Sequence, residues 1–254
     1  KAAMESGVAS LPIADFDAYA RTLEARLDPT ATHIHMIQEQ VQASPKRMVF
    51  AEGEEEQVIR AALQWHTSGF GTPVLIGREV QVNETMARIG LRQPEGLEIH
   101  NARLSQHNEL YTDFLYKRLQ RQGFLWRDCQ RMVNQDRNVF AACMIAHGHG
   151  DAMITGVTRN YHVAFTDICR VLDPRPGQVL FGLSIVVAPE RTVFIADSTV
   201  HELPDSETLA DIACQAAAEA RAMGHEPRVA LLSFSNFGNP PLEAAVRVRE
   251  AIKV

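Results

Sequence analysis

At 254 residues, with 46% hydrophobic and 22% charged side chains, the chain carries enough apolar material for a full core in one large or two small domains. A formal net charge of −6 excludes a global basic field of the kind that holds nucleic acid or an anionic membrane, so a polyanionic ligand must find a local positive pocket. No apolar run approaches the ~20 residues of a membrane span, no signal-peptide pattern is present, and Cys129, Cys143, Cys169 and Cys214 are too scattered for a zinc or disulfide framework; they read as small buried residues of a cytoplasmic protein.

In chain order, Ala2 to Gly7 ends a helix, Ile13 to Leu27 forms another with Asp15 as its cap, and a third runs from Thr32 to Ala43 after the Asp28-Pro29-Thr30 break. This stretch resembles a helical connector more than a core. From Met48 strand and helix alternate: a strand Met48 to Ala51 ending in Glu52-Gly53, and a helix Glu54 to Ser68 whose acidic first turn suits its dipole. A strand Pro73 to Ile76 and a helix Glu79 to Ile89 follow. Asn108 to Arg121 and Arg127 to Ala146 are the long helices of the middle section, and Met153 to Thr155 is the next strand. Val179 to Val187 and Thr192 to Ala196 read as an antiparallel pair, Ser206 to Met223 as a helix capped by Asp205 or Ser206, and Val229 to Leu232 as a buried strand. Alternating βα units of this kind predict a layered α/β fold with mostly parallel sheets. The amphipathic pattern from Pro241 is still running at Val254 and the chain opens on Lys1, so it reads as a segment of a longer polypeptide.

Two places collect groups that can bind a ligand. Ser233, Phe234, Ser235, Asn236, Phe237 and Gly238 follow the expected strand and gather hydroxyls, an amide and backbone N–H groups at a carboxyl edge, where open α/β sheets bind ligands. The same loop reads equally as an ordinary βα connection capped by Ser and Asn. Arg159, Asn160, Tyr161 and His162 open a helix after Gly156, and a helix N-terminus with an arginine beside it suits a phosphate; solvated surface groups are the alternative. His147 and His149 lack a third ligand at a recognisable spacing, so they read as structural or exposed and no metal site is expected. Asp197, after a strand, is a candidate base whose commoner role is to cap the next turn, and Gly53 allows either a close approach or a positive φ. The P-loop, dinucleotide-binding, serine-hydrolase and zincin signatures are all missing from the sequence.

The blocks FAEGEEEQVIRAA, PVLIG, GDAMITG, VFIADSTVHELPDSETLADIA and EPRVALLSFSNFG, in that order, resemble the landmarks of the phosphate acetyltransferase family. More narrowly, NYHVAFTDICRVLDPRPG and SNFGNPP are similar to the phosphate-acetyltransferase-like domain fused behind the catalytic part of bacterial NADP-dependent malic enzymes, and KAAMESGVASLPIADFDAYARTLEARLD to the exit of their malic domain. The resemblance implies a two-lobed, layered α/β/α fold of the isocitrate/isopropylmalate dehydrogenase-like (phosphotransacetylase) type behind a helical linker. Residues 1–44 would be the end of the malic domain plus linker, 45–176 the first lobe and 177–254 the start of the second.

The family exchanges acetyl groups between coenzyme A and phosphate. It carries an arginine about ten residues beyond the glycine matched by Gly156, and Thr166 stands there instead; a hydroxyl cannot supply the charged fork that arginine gives a phosphate. The resemblance therefore implies a regulatory domain that binds acetyl-CoA through Arg159 to His162 and Ser233 to Gly238, between its lobes, without catalysis of its own. It further implies an oligomer, a hexamer built on dimers, whose NADP and Mg2+ or Mn2+ are bound elsewhere in the longer protein. A working phosphate acetyltransferase and a purely structural dimerisation module are the rival readings.

Overall fold

The computed structural model describes residues 15–16, 19–20, 23, 29–188, 191–234, 239–240 and 242–254. The chain divides into two compact units, Gln38–Asp173 and a second made of Pro174–Val254 with the described residues up to Ile37. Helix α1 covers Pro29–Ala43, starting on the proline that the sequence reading placed in a break; proline is tolerated in a first helical turn because its missing N–H would have no partner there. The expected helices before it fall largely outside the described residues.

The Gln38–Asp173 unit is built on four short parallel strands. These are β1 (Met48–Phe50), β2 (Pro73–Ile76), β3 (Glu98–His100) and β4 (Ala152–Ile154), in the spatial order β3-β2-β1-β4. Register is tight, with Val49 opposite both Val74 and Met153 and Phe50 opposite both Leu75 and Ile154. Because strand side chains alternate between faces, Val49, Val74 and Ile76 pack on one side with Tyr111, Leu115, Leu119, Phe140 and Met144. Phe50 and Leu75 pack on the other with Val58, Ile59, Val82 and Met86. The helical residues of the first set lie on α4 (Asn108–Leu119) and α6 (Arg137–Ala146), with Cys129 and Val133 added from α5 (Trp126–Gln135), and those of the second on α2 (Glu56–Thr67) and α3 (Glu79–Arg88). The sheet is thus sandwiched between helical layers, the expected α/β/α arrangement, and each fully buried aliphatic or aromatic side chain contributes about 1.5–3 kcal/mol of transfer free energy.

Three readings of this unit need correction. Arg127 to Ala146 is two helices and not one: Asp136 adopts extended backbone (φ −101°, ψ 114°) and its carboxylate accepts the N–H groups of Asn138 and Val139, capping α6. An N-cap overrode an apolar periodicity that runs on through it. Strand β3 was not foreseen, since Glu98-Ile99-His100 is short and mostly polar. Helix α2 starts at Glu56, so Glu54 and Glu55 lie before it, and Glu54 has another task.

In the second unit β5 (Leu183–Ala188) and β6 (Arg191–Ala196) pair antiparallel as expected, with Ile185 opposite Phe194. Helix α8 (Ser206–Ala222) begins at Asp205, whose carboxylate accepts the Thr208 N–H at 2.8 Å, and α9 spans Glu243–Ala251. The buried strand expected at Val229 to Leu232 does not form. A strand exists only with a ladder partner, and among the described residues β6 pairs with β5 alone, leaving Val229 59% and Leu232 85% exposed. Cysteines 129 and 143 are buried as anticipated and Cys169 partly so, whereas Cys214 is exposed on α8.

Candidate functional site

In a doubly wound sheet the ligand crevice lies outside the carboxyl ends of the strands, where the winding direction reverses. Here the chain runs outward from β1 through β2 to β3 and then returns to place β4 on the other side of β1. The switch point is therefore between the segment 51–54 that leaves β1 and the loop 155–160 that leaves β4. Glu52 joins them. Only 3% exposed, its carboxylate accepts the N–H groups of Gly156 (2.9 Å), Val157 (2.7 Å) and Thr158 (2.7 Å) and the Thr158 hydroxyl. Burial opposes ionisation of Glu52, but the donors, led by the Thr158 side chain, outweigh it and hold the carboxyl below its ordinary range.

Glu54 ties the other loops of the same edge. It receives the backbone N–H of Arg78 (2.8 Å) and its guanidinium (3.1 and 3.2 Å), together with the guanidinium of Arg137 at the start of α6 (2.7 Å). Here too burial is outweighed, by Arg78 and then Arg137, and the carboxyl stays ionised. Between them Gly53 answers the question left by its sequence. It serves a close approach, since a Cβ there would stand 2.7 Å from Leu75 Cβ and 2.9 Å from Ile76 N.

Helix α7 (Tyr161–Cys169) starts directly beyond the clamped loop. Arg159 lies at its head, and one of its terminal nitrogens donates to Asp136 (2.5 Å) and to Asp167 (2.9 Å), while Asp167 also accepts from Arg170 (2.7 Å). Burial, reinforced by the nearby Asp136 charge, raises the Asp167 pKa above its usual value despite the two arginines. Asn160 is the N-cap, its side chain accepting the Val163 N–H at 3.0 Å. Tyr161, 47% exposed, stacks on Phe165 with ring centroids 5.5 Å apart. His162 is exposed, and its carbonyl accepts the Thr166 hydroxyl at 2.8 Å. Thr166 is thus back-bonded to its own helix, and it lines a shallow pocket with Arg118, Leu119, Gln122, Cys169 and Arg170.

Ser233 is exposed and belongs to the second unit, whereas Arg159 to His162 belong to the first; Ser235, Asn236, Phe237 and Gly238 lie outside the described residues. Asp197 takes its commoner role. It accepts the N–H groups of Gly182, Thr199, Val200 and His201 and bonds the His201 ring, and these donors overcome its burial and hold it far below the carboxylate range. A carboxylate so saturated is a poor proton acceptor.

His147 and His149 pack with His107 around the buried Tyr111, whose hydroxyl shares a 2.5 Å hydrogen bond with His149 Nδ1. Among the described residues no group of three His, Cys, Asp or Glu side chains could hold a metal ion. Also among them, no helix is long and apolar enough to cross a membrane.

The sequence reading missed Glu52, Glu54, Asp136 and Asp167 as organisers of this edge. The only available signal was Glu-Gly-Glu at a strand end, two carboxylates flanking the one residue small enough for the contact.

Residues 32–254 match the phosphate acetyl/butaryl transferase family. The chain is 51% identical over 255 residues to the NADP-dependent malic enzyme of Rhizobium meliloti, a match that covers 100% of the chain and 34% of that protein. It is 36% identical to the NADP-dependent malic enzyme of Escherichia coli, again over 100% of the chain and 34% of the relative. A phosphate acetyltransferase of Nitrosomonas europaea is 29% identical over 91% of the chain and 33% of that protein. The chain thus spans about a third of the length of the curated relatives it matches. Among solved structures, a phosphotransacetylase from Streptococcus pyogenes superposes with a TM-score of 0.80 at 22% identity, covering 88% of this chain and 68% of the other. The EutD phosphotransacetylase from Staphylococcus aureus gives 0.77 at 23% identity, covering 88% and 67%. These two likenesses bear on the fold.

Proposed function

The chain belongs to the phosphate acetyl/butaryl transferase family, and from that premise we propose that it is the phosphate-acetyltransferase-like part of a cytoplasmic NADP-dependent malic enzyme. In that role it binds acetyl-CoA to regulate the oxidative decarboxylation of malate to pyruvate, helps to hold the enzyme in a homo-oligomer, and does not itself transfer acetyl groups. NADP and the divalent metal belong to the malic part of the longer protein. The 51% identity to one such enzyme along the whole chain supports the parentage.

One observation carries the choice of binding over catalysis: the groups at the switch point that would grip a transferring phosphate are engaged by the chain's own carboxylates. Asp136 and Asp167 hold Arg159, and Glu52 holds the N–H groups of Gly156, Val157 and Thr158. A phosphate arriving there would displace a carboxylate and meet its repulsion, and Thr166 offers no charge in compensation. An acetyl-CoA molecule held as an effector makes different demands. The Tyr161–Phe165 stack offers a flat aromatic surface at the same edge, suited to an adenine ring. Bound acetyl-CoA regulates only through a difference in affinity between two states of the assembly.

The test is a pair of assays on the full-length protein. Acetyl-CoA lowers the rate of malate-dependent NADP reduction, and acetyl-CoA with inorganic phosphate yields no acetyl phosphate. Robust acetyl phosphate formation would establish the catalytic reading instead; no binding of acetyl-CoA at millimolar concentration would leave a structural module.

A further inference from the structure

We propose that Glu52 is a positioning residue for the effector site: by fixing the loop Gly156–Thr158 it presents the Arg159–His162 segment at the head of α7. The proposal rests on the effector reading given above. Glu52 follows β1, and its side-chain hydrogen bonds go to residues 156–158, ahead of α7, so its influence passes through the loop. That loop has few other restraints. Thr155 donates its hydroxyl to Asn138 at 2.6 Å, and Arg159 is tethered by Asp136 and Asp167. Between these anchors the chain passes through Gly156, at φ +110°, and exposed Val157. A glycine in that conformation imposes little order of its own, and an exposed valine contributes no core packing. The three successive N–H groups that converge on Glu52 therefore supply most of what fixes residues 156–158.

The donor set also explains why the residue is a glutamate. Three amides and one hydroxyl all donate, so the group they meet must only accept, and an ionised carboxylate is the one side chain with two oxygens and no hydrogen. Its depressed pKa keeps that state throughout the neutral range. A glutamine is the same length but turns an NH2 group toward N–H donors, leaving one oxygen for the set. In Glu52→Gln the loop keeps part of its bonding and loses its single conformation, and a ligand that needs the α7 head in place must then supply the ordering free energy itself.

Acetyl-CoA binding to the full-length protein, measured by calorimetry, is compared for wild type, Glu52→Gln, Thr158→Ser and Thr158→Val, with amide hydrogen exchange followed over residues 155–161. The expected result is that Glu52→Gln raises the dissociation constant about tenfold and speeds exchange in that segment while β1 and β2 stay protected. Thr158→Ser, which keeps the hydroxyl, binds like wild type, and Thr158→Val falls between. That order separates positioning from a loss of packing, which would weaken Thr158→Ser, short of one methyl group, and spare Thr158→Val of the same shape, and it keeps the test open if Glu52→Gln does not fold. A folded Glu52→Gln with wild-type affinity, or Thr158→Ser as weak as Thr158→Val, overturns the proposal and leaves the effector reading standing. A wild type that does not bind acetyl-CoA overturns both.

Discussion

Gly53→Ala is a single methyl group whose cost can be worked from the geometry. The new Cβ would sit 2.7 Å from Leu75 Cβ, 2.9 Å from Ile76 N and 3.0 Å from Ile76 O. All three atoms are fixed to the backbone of β2, so no side chain can swing aside, and relief requires β1 and β2 to part. Parting stretches the 3.0 Å bond from Gly53 N to Ile76 O. Overpacking of this kind costs about 1–3 kcal/mol, the upper part of that range applying where nothing flexible yields, and a weakened hydrogen bond adds about 1 kcal/mol. The sum is about 3 kcal/mol. Both tryptophans of the chain, Trp65 and Trp126, lie in the Gln38–Asp173 unit, so their fluorescence reports the unfolding of that unit. With a urea slope of about 2 kcal/mol per molar, the midpoint falls by about 1.5 M. Gly69→Ala is the control: its φ is +71° with nothing within 4 Å of a Cβ, so it pays only the left-handed penalty of about 1 kcal/mol. A Gly53→Ala shift no larger than that of Gly69→Ala would refute the claim that Gly53 is present for close contact.

Further expectations concern charge and pH. His149 is held neutral by burial and then by His107, His147, Arg47 and His100, so its pKa is lowered on folding. The unfolded chain takes up a proton near pH ~6.5 that the folded chain refuses, so stability is full above that pH and declines as pH falls through it. Of the carboxylates facing the cluster, Asp151 accepts the Arg47 N–H, and Glu98 is held below its ordinary range by Arg47 and His100, which outweigh its burial. His149→Gln should flatten this limb in thermal melts followed by fluorescence; parallel curves for variant and wild type would count against it. Asp136→Ala removes the α6 cap and one anchor of Arg159 and should cost about 1–2 kcal/mol, with Asp136→Ser recovering most of the capping part; equal losses in urea titrations would show that capping is not the cause. Burial pushes the Cys143 thiol up to about 12, whereas Cys214 is exposed. Alkylation of the native protein at mildly alkaline pH should therefore modify Cys214 and spare Cys143 until the unit unfolds, as peptide mass mapping would read.

The layered sheet was legible in the sequence because Met48 to Phe50, Pro73 to Ile76 and the apolar faces of the surrounding helices carry their periods openly. So was the β5–β6 pair, and the α8 cap was narrowed to Asp205 or Ser206, of which Asp205 is the one that caps. What the sequence hid was decided by partners distant along the chain. Val229 to Leu232 is as aliphatic as β2, yet a strand is a property of a ladder and not of a segment, and the described residues give it no neighbour. Asp136 sits in a pattern that reads as continuous helix, and only its bonds to Asn138 and Val139 reveal the break.

Of the candidate site, only the place of Arg159 to His162 at the start of a helix was legible, and not its wiring. Arg159 to His162 do head a helix at the switch point, but Asn160 serves that helix, and Arg159 is bound by Asp136 and Asp167, which approach from 23 residues upstream and 8 downstream. Glu52 acts on a loop more than a hundred residues away. No local spacing encodes such a contact.

The most direct measurement is the rate of malate-dependent NADP reduction by the full-length protein as acetyl-CoA is added. Saturable inhibition, with no acetyl phosphate appearing when inorganic phosphate is supplied, is the predicted result. A rate indifferent to millimolar acetyl-CoA, or steady production of acetyl phosphate, would contradict it.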